Sequence, residues 1–261
     1  MENVGIQQVR DYWDKRPCNI RHSALEVGSK SYFDEVDARR YFVEPHILDF
    51  ADFSRWRGKK VLEIGCGIGT DMVRFIRNGA NYVGTELSTE SLEVAKLRLA
   101  AYDLKAELQE ADVENLSGVF QSHHNFDLIY SFGVLHHTPD ILRALGEIRK
   151  VARDTTEFRF MVYAKHSWKA AMISAGLDQP EAQFGCPIAN SYSRAEIEWL
   201  LEESGWKATS IRQDHIFVWK VEDYLRYEYV AQPWFAAMPE SILRALKDEL
   251  GWHLLVTART A

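Results

Sequence analysis

Three glycines at alternate positions, Gly65, Gly67 and Gly69, separate an apolar run carrying an acid, Val61-Leu62-Glu63-Ile64, from a polar pair, Thr70-Asp71, that opens an amphipathic segment. This order suits a buried parallel strand that turns into a helix past a bound ligand. Glycine tolerates positive φ there and leaves no side chain in the path of approach. Acids recur at two further candidate strand ends: Glu86 before Leu87-Ser88, and Asp112 before Val113. A carboxylate offers two acceptor oxygens, enough for a pair of hydroxyls. The run Tyr130-Ser131-Phe132-Gly133-Val134-Leu135-His136-His137 brings a hydroxyl and two imidazoles to another strand end. Open α/β sheets bind ligands at that edge. His136 and His137 are the nearest candidates for a general base, although packing accounts for at least one of them equally well.

Strands alternating with helices must hold these groups. Residues 61–64, 82–85, 106–109, 126–131 and 158–163 read as strands. Residues 71–78, 89–101 and 140–151 read as helices, with Asn78-Gly79 as a stop and Ser88 and Asp140 as caps. Residues 117–125 read as a loop. The alternation specifies an α/β fold with a doubly wound, mostly parallel sheet, here expected to have seven strands. Residues 1–58 read as a helical cap with helices near 6–14, 32–41 and 45–53. Residues 59–165 form the ligand-binding core. Residues 166–261 carry a late lid insertion and the last strands of the same sheet. In that tail, 167–176 is expected to be helical and 177–190 an irregular loop. Ser193-Arg194-Ala195-Glu196 opens a helix, 208–212 and 252–258 are strands, and 221–229 and 241–250 are helical.

Composition narrows the function classes. The chain has 261 residues and a net charge of −7, which disfavours a nucleic-acid partner. No apolar run reaches the roughly 18–20 residues of a membrane span, and Met1-Glu2-Asn3-Val4 does not open a signal peptide, so a cytoplasmic location is expected. Cys18, Cys66 and Cys186 are too scattered for a disulfide framework or a zinc site, and no metal is expected. Cys66 reads as a packing residue. The oligomeric state is left open.

A dinucleotide site would need G-x-G-x-x-G, but Thr70 stands at the third place. The observed G-x-G-x-G, with Glu63 before it, resembles motif I of class I S-adenosylmethionine-dependent methyltransferases. The stretch at 130–137 is similar to that of the ubiquinone and menaquinone biosynthesis C-methyltransferase branch. The resemblance implies S-adenosyl-L-methionine as cofactor and in-line methyl transfer to a small-molecule O, N, S or C acceptor. It implies cofactor contacts from Glu63, Gly65, Cys66, Gly67, Gly69, Thr70 and Asp71 at the turn. Glu86 serves the ribose, Leu87 and Ser88 are further cofactor contacts, and Asp112 and Val113 serve the adenine. Ser131, with Tyr12 and Trp13 as a closing helix, completes the set. Tyr32, Arg39, Gln179, Glu181 and Tyr192 are the substrate candidates. Relatives usually carry Pro-Gly-Gly where Arg153-Asp154-Thr155-Thr156-Glu157 stands, a departure away from the chemistry. Binding without catalysis, a nicotinamide-dependent oxidoreductase, and thiol or metalloid methylation through Cys18 and Cys186 are the alternatives.

Overall fold

A computed structural model describes residues 4–120, 125–176 and 185–261. The cap contains α1 (Ile6–Lys15), α2 (Lys30–Val43) and α3 (His46–Ala51). The core follows as β1 (Lys60–Ile64), α4 (Thr70–Arg77), β2 (Asn81–Glu86), α5 (Thr89–Ala101), β3 (Glu107–Glu110), α6 (Leu116–Val119), β4 (Leu128–Phe132), α7 (Ile141–Val151) and β5 (Glu157–Ala164). The tail adds α8 (Trp168–Ser174), β6 (Ser191–Tyr192), α9 (Arg194–Glu203), β7 (Trp206–Asp214), α10 (Val221–Leu225), α11 (Pro233–Ala236), α12 (Glu240–Leu250) and β8 (His253–Thr260).

The sheet runs β3-β2-β1-β4-β5-β8-β7. The first five strands are parallel, and β8 enters antiparallel between β5 and β7. The expected seven strands are all present. An eighth, β6, pairs only Ser191-Tyr192 with Tyr163-Ala164 of β5. Two residues leave too little pattern for a strand to be read from sequence.

Period-two alternation divides the core between the sheet faces. Leu62, Ile64 and Ile129 pack with α7 and α9 residues such as Leu145 and Leu200. Val61, Leu128 and Tyr130 pack with α3 and α4 residues such as Ile47 and Phe75. Every residue of β5 is buried, as befits a central strand covered on both sides. Ser88 caps α5 by accepting from the Ser91 amide, and Asp140 caps α7 by accepting from Arg143. Gly79, at φ +87°, ends α4 as expected.

Three local expectations change. The helix expected over 45–53 divides at Asp52, whose φ is +49°, into α3 and a 3-10 turn, Phe53–Trp56. The helix expected over 221–229 stops at Leu225, and Tyr227 adopts φ +65°. The loop expected over 117–125 begins instead with the end of α6. Among the described residues no helix is long and apolar enough to cross a membrane.

Candidate active site

A cleft lies against the C-terminal ends of β1, β2 and β4. It brings together Trp13, Glu63, Gly65, Cys66, Gly67, Thr70, Asp71, Glu86, Leu87, Asp112, Val113 and His137. Residues from α1, three strand ends and the turn after β4 thus share one wall. This convergence follows from the parallel sheet, which sends every β-to-helix connection to the same edge.

The turn after β1 is held from within. The Gly65 and Cys66 amides both donate to the Thr85 carbonyl, at 2.8 and 2.9 Å, and the Gly69 amide donates to Cys66 O at 2.9 Å. The Gly67 amide donates to Glu86 Oε2 at 2.8 Å. The other oxygen of Glu86 accepts the Leu87 and Ser88 amides, at 2.8 and 3.0 Å. Gly65 sits at φ +71°, and a Cβ there would lie 2.2 Å from Val134 Cγ2. Gly67 also has positive φ, but a Cβ on it would meet only open space. The first glycine is therefore required by packing and the second keeps the cleft open.

Four carboxyl groups line the cleft, on Glu63, Asp71, Glu86 and Asp112, against the single guanidinium of Arg40. Glu63 accepts from the Tyr82 hydroxyl at 2.6 Å. Burial, with Asp71 nearby, pushes its carboxyl well above the usual carboxylate range. Burial also raises Glu86, against the pull of its three amide donors. Asp71 accepts from Tyr41 at 2.7 Å and Tyr130 at 3.1 Å, and Arg40 Nη2 lies 3.5 Å from it. Asp112 uses one oxygen to cap the following 3-10 turn at the Glu114 amide, at 2.8 Å. His137 places Nδ1 2.5 Å from the Ile188 carbonyl and 3.4 Å from Cys186 Sγ. A carbonyl can only accept, so Nδ1 carries the proton. Burial lowers the His137 pKa to about 4, which keeps the ring neutral near pH 7.

A second cavity shares Trp13, Cys18 and Asn19 with the cleft. Tyr163, Phe217, Tyr224 and Trp252 give it aromatic walls, with Lys169, Glu44, His215 and His253 as polar lining.

Other expected site residues lie elsewhere. His136 is fully buried and stacks on Tyr163 at 3.8 Å, outside the cleft lining. Ser131 shares the face of Ile129 by alternation, is fully buried, and does not line the cleft. Ser88 works as the helix cap and Gly69 as the residue preceding α4. Tyr12 stands behind Trp13, edge-on at 5.0 Å. Tyr32 is a core residue whose hydroxyl donates to Ile20 O at 2.7 Å, so it cannot serve as a substrate contact. Arg39 turns away from the cleft and stacks on Tyr224 and Tyr227, at 4.1 and 4.3 Å. Tyr192 packs beside β5 against the core. Gln179 and Glu181 lie outside the described residues.

Arg40 is the main omission from the sequence reading. Adjacent residues of a helix point about 100° apart, so only one of Arg39 and Arg40 can face the cleft. Cys18 lines the junction of the two cavities, whereas Cys186 packs against His137 and Ile188.

The sheet order, the glycine turn and the acids at successive strand ends together define a methyltransferase-type α/β domain. Residues 62–158 match the family model described as methyltransferase domain. Over that segment the chain is similar to class I S-adenosylmethionine-dependent methyltransferases. A ubiquinone biosynthesis O-methyltransferase of Nitrosospira multiformis is 32% identical over 112 residues, 41% of this chain and 46% of that protein. One from Hahella chejuensis is 28% identical over 161 residues, 61% of this chain and 62% of that protein. The chain thus spans about half to three fifths of the curated relatives it matches. The magnesium protoporphyrin IX methyltransferase of Synechocystis PCC 6803, solved with bound SAH, has the same fold. It superposes with a TM-score of 0.62 at 14% identity, covering 98% of this chain and 100% of that one.

Proposed function

We propose that the protein is an S-adenosylmethionine-dependent methyltransferase acting on a small-molecule acceptor in the cytoplasm. The observation that carries this reading is the electrostatic character of the glycine turn. Amides of Gly65, Cys66, Gly67 and Gly69 are already hydrogen-bonded within the protein, and carboxyl groups surround them. A pyrophosphate needs free amides and no acid beside them, so a nicotinamide dinucleotide fits poorly. A ligand with a sulfonium and an ammonium fits the four acids, and Arg40 meets its single carboxylate.

The residues present suit that cofactor. Glu86 holds the ribose hydroxyls, and Asp112 with the Val113 backbone holds the adenine. Glu63 and Asp71 face the ammonium. The bound cofactor supplies a methyl group on a sulfonium, whose thioether leaves without needing a proton. Trp13 closes the cleft where it meets the second cavity and helps to exclude water. The second cavity positions the acceptor, and its Tyr163, Phe217, Tyr224 and Trp252 walls favour an aromatic or otherwise flat molecule. His137 offers Nε2 as a neutral acceptor beside that junction and orients the acceptor group. The aromatic acceptor sets this reading apart from thiol or metalloid methylation, for which Cys18 and Cys186 would have to act together.

Calorimetry with S-adenosylhomocysteine, followed by methyl transfer from S-adenosylmethionine across a panel of phenolic acceptors, tests this. Saturable binding that weakens at least tenfold in Glu86→Ala supports the assignment. Tighter binding of NAD, or unchanged affinity in Glu86→Ala, overturns it.

A further inference from the structure

Two histidines and a glutamate from distant parts of the chain converge on the wall of the second cavity. Glu44 follows the last turn of α2, His215 follows β7, and His253 begins β8. One ligand atom from each lies within 4.8 Å of the other two. The register that pairs Asp214 with His253 sets the two imidazoles side by side, with ring centroids 4.6 Å apart. His215 holds a left-handed backbone, φ +71°, uncommon for a residue with a Cβ.

We propose that Glu44, His215 and His253 form a binding site for a divalent transition-metal ion, open to the acceptor cavity. Nitrogen and carboxylate donors in a 2:1 ratio suit zinc or a neighbouring first-row ion. A buried outer partner completes the arrangement: His46 Nε2 lies 2.9 Å from His253 Nδ1. One proton serves that contact. When His253 Nδ1 donates to His46, its Nε2 turns a lone pair toward Glu44 Oε1, 3.6 Å away. Two acceptors then face one another, an arrangement that a cation between them would satisfy. Metal-bound histidines commonly fix their second nitrogen in this manner. Donor atoms in a tetrahedral zinc site lie about 3.3 Å apart, so closure on the ion requires roughly 1 Å of side-chain adjustment.

Three protein ligands leave a tetrahedral ion one position. Glu44, His215 and His253 all line the second cavity, so that position faces the space where the acceptor is proposed to bind. An acceptor hydroxyl held there would lose its proton to solvent on coordination. Its oxygen would then form the C–O bond as the C–S bond breaks, and the sulfur would keep the electron pair. This last point rests on the proposed function; the metal site does not.

The test uses the whole chain, stripped with chelator and titrated with Co2+ in the absence of cofactor and acceptor. One equivalent should produce the visible absorption of a low-symmetry Co2+ site, and Zn2+ should displace it. Glu44→Gln and the double variant His215→Ala/His253→Ala should each weaken binding at least tenfold. Their thermal melts are compared with that of the metal-free protein to confirm folding. Azide should shift the Co2+ bands, since the fourth position is open. Absence of the spectrum, or unchanged Co2+ affinity in a folded double variant, overturns the site. A spectrum indifferent to azide overturns its opening to the cavity. None of these readouts depends on methyl transfer, so failure here is distinguishable from failure of the proposed activity.

Discussion

The Glu86 carboxylate accepts the Gly67 amide at 2.8 Å, tying the end of β2 to the middle of the glycine turn after β1. One acid thereby holds the turn in the shape that the cleft requires, and does so from a strand end that belongs to the cleft itself. The contact also occupies an amide that would otherwise attract an anion. Its removal changes both the shape and the charge of the turn. Glu86→Gln keeps one acceptor oxygen but loses the charge. It should therefore bind S-adenosylhomocysteine with an affinity between those of wild type and Glu86→Ala, as read by calorimetry.

The glycines at 65 and 67 are predicted to fail differently. In Gly65→Ala the new methyl meets the branched side chain of Val134 at 2.2 Å, and a positive φ adds strain. Overpacking and the left-handed backbone together cost roughly 2–4 kcal/mol. Gly67→Ala meets nothing, so only the backbone cost of about 1–2 kcal/mol applies. The first variant should lower the urea midpoint strongly. The second should lower it less, yet lose cofactor affinity, because its methyl enters the cleft.

Arg40 and Asp71 form the mostly buried ion pair of the cleft. Burial opposes the charge on Arg40, but Asp71 and Glu44 hold its pKa above the ordinary value. Removing one partner of a buried pair leaves the other uncompensated, at about 3 kcal/mol. Arg40→Ala should show that loss in chemical denaturation and should also weaken cofactor binding. Arg39→Ala, on the side of the same helix that packs on Tyr224 and Tyr227, should leave cofactor binding unchanged. Equal effects of the two substitutions on binding would contradict the orientation of α2.

The cleft at the strand ends was largely legible in sequence because its residues sit beside strong local signals. Glu63, Glu86 and Asp112 end or adjoin strands whose alternation with helices specifies a parallel sheet, and a parallel sheet collects its strand ends at one edge. The second cavity was not legible. Its lining comes from α1, the loop at 16–22, α2, β5, α8, the segment after β7, α10 and the start of β8, segments far apart in the chain. Glu44, His215 and His253 carry no common spacing. Arg39 and Arg40 could not be separated because α2 buries Tyr32, Phe33, Val36, Arg39 and Tyr41, which do not form one narrow apolar stripe. Tyr32 and Ser131 were misread because a polar side chain near a strand end or a cap resembles a ligand contact until its burial is known.

Trp13 should act as a closing residue held by weak attachments. It lines both cavities and meets His137 edge-on at 5.2 Å. The helix that carries it buries one apolar residue, Val9, and its polar ties to α5 and β3 include the Arg10–Glu110 ion pair and the Glu90 amide to Asp14 at 3.4 Å. Exposed pairs of this kind contribute about 1 kcal/mol or less. Ligand binding should therefore protect α1 from limited proteolysis more than it protects the core. Trp13→Ala should remove that protection and weaken S-adenosylhomocysteine about tenfold, or roughly 1.4 kcal/mol. Cleavage of α1 at equal rates with and without ligand would exclude a closing role.

His137 gives the protein a predictable sensitivity to acid. Burial lowers its pKa in the folded chain to about 4, opposed by the Ile188 carbonyl, while an unfolded histidine titrates near 6.5. Above pH 6.5 the ring is neutral in both states and contributes no pH dependence. Between 6.5 and about 4 the unfolded chain binds a proton that the folded chain refuses, so stability falls as pH falls. Below about 4 both states carry the proton and the loss is complete. The loss between pH 7 and pH 5 is roughly 2 kcal/mol from this residue. His137→Gln cannot titrate and should reduce the pH 7-to-5 difference in urea-unfolding free energy by about that amount. An unchanged difference would mean that His137 is exposed or charged in the folded protein, which would remove it as a neutral acceptor facing the cleft.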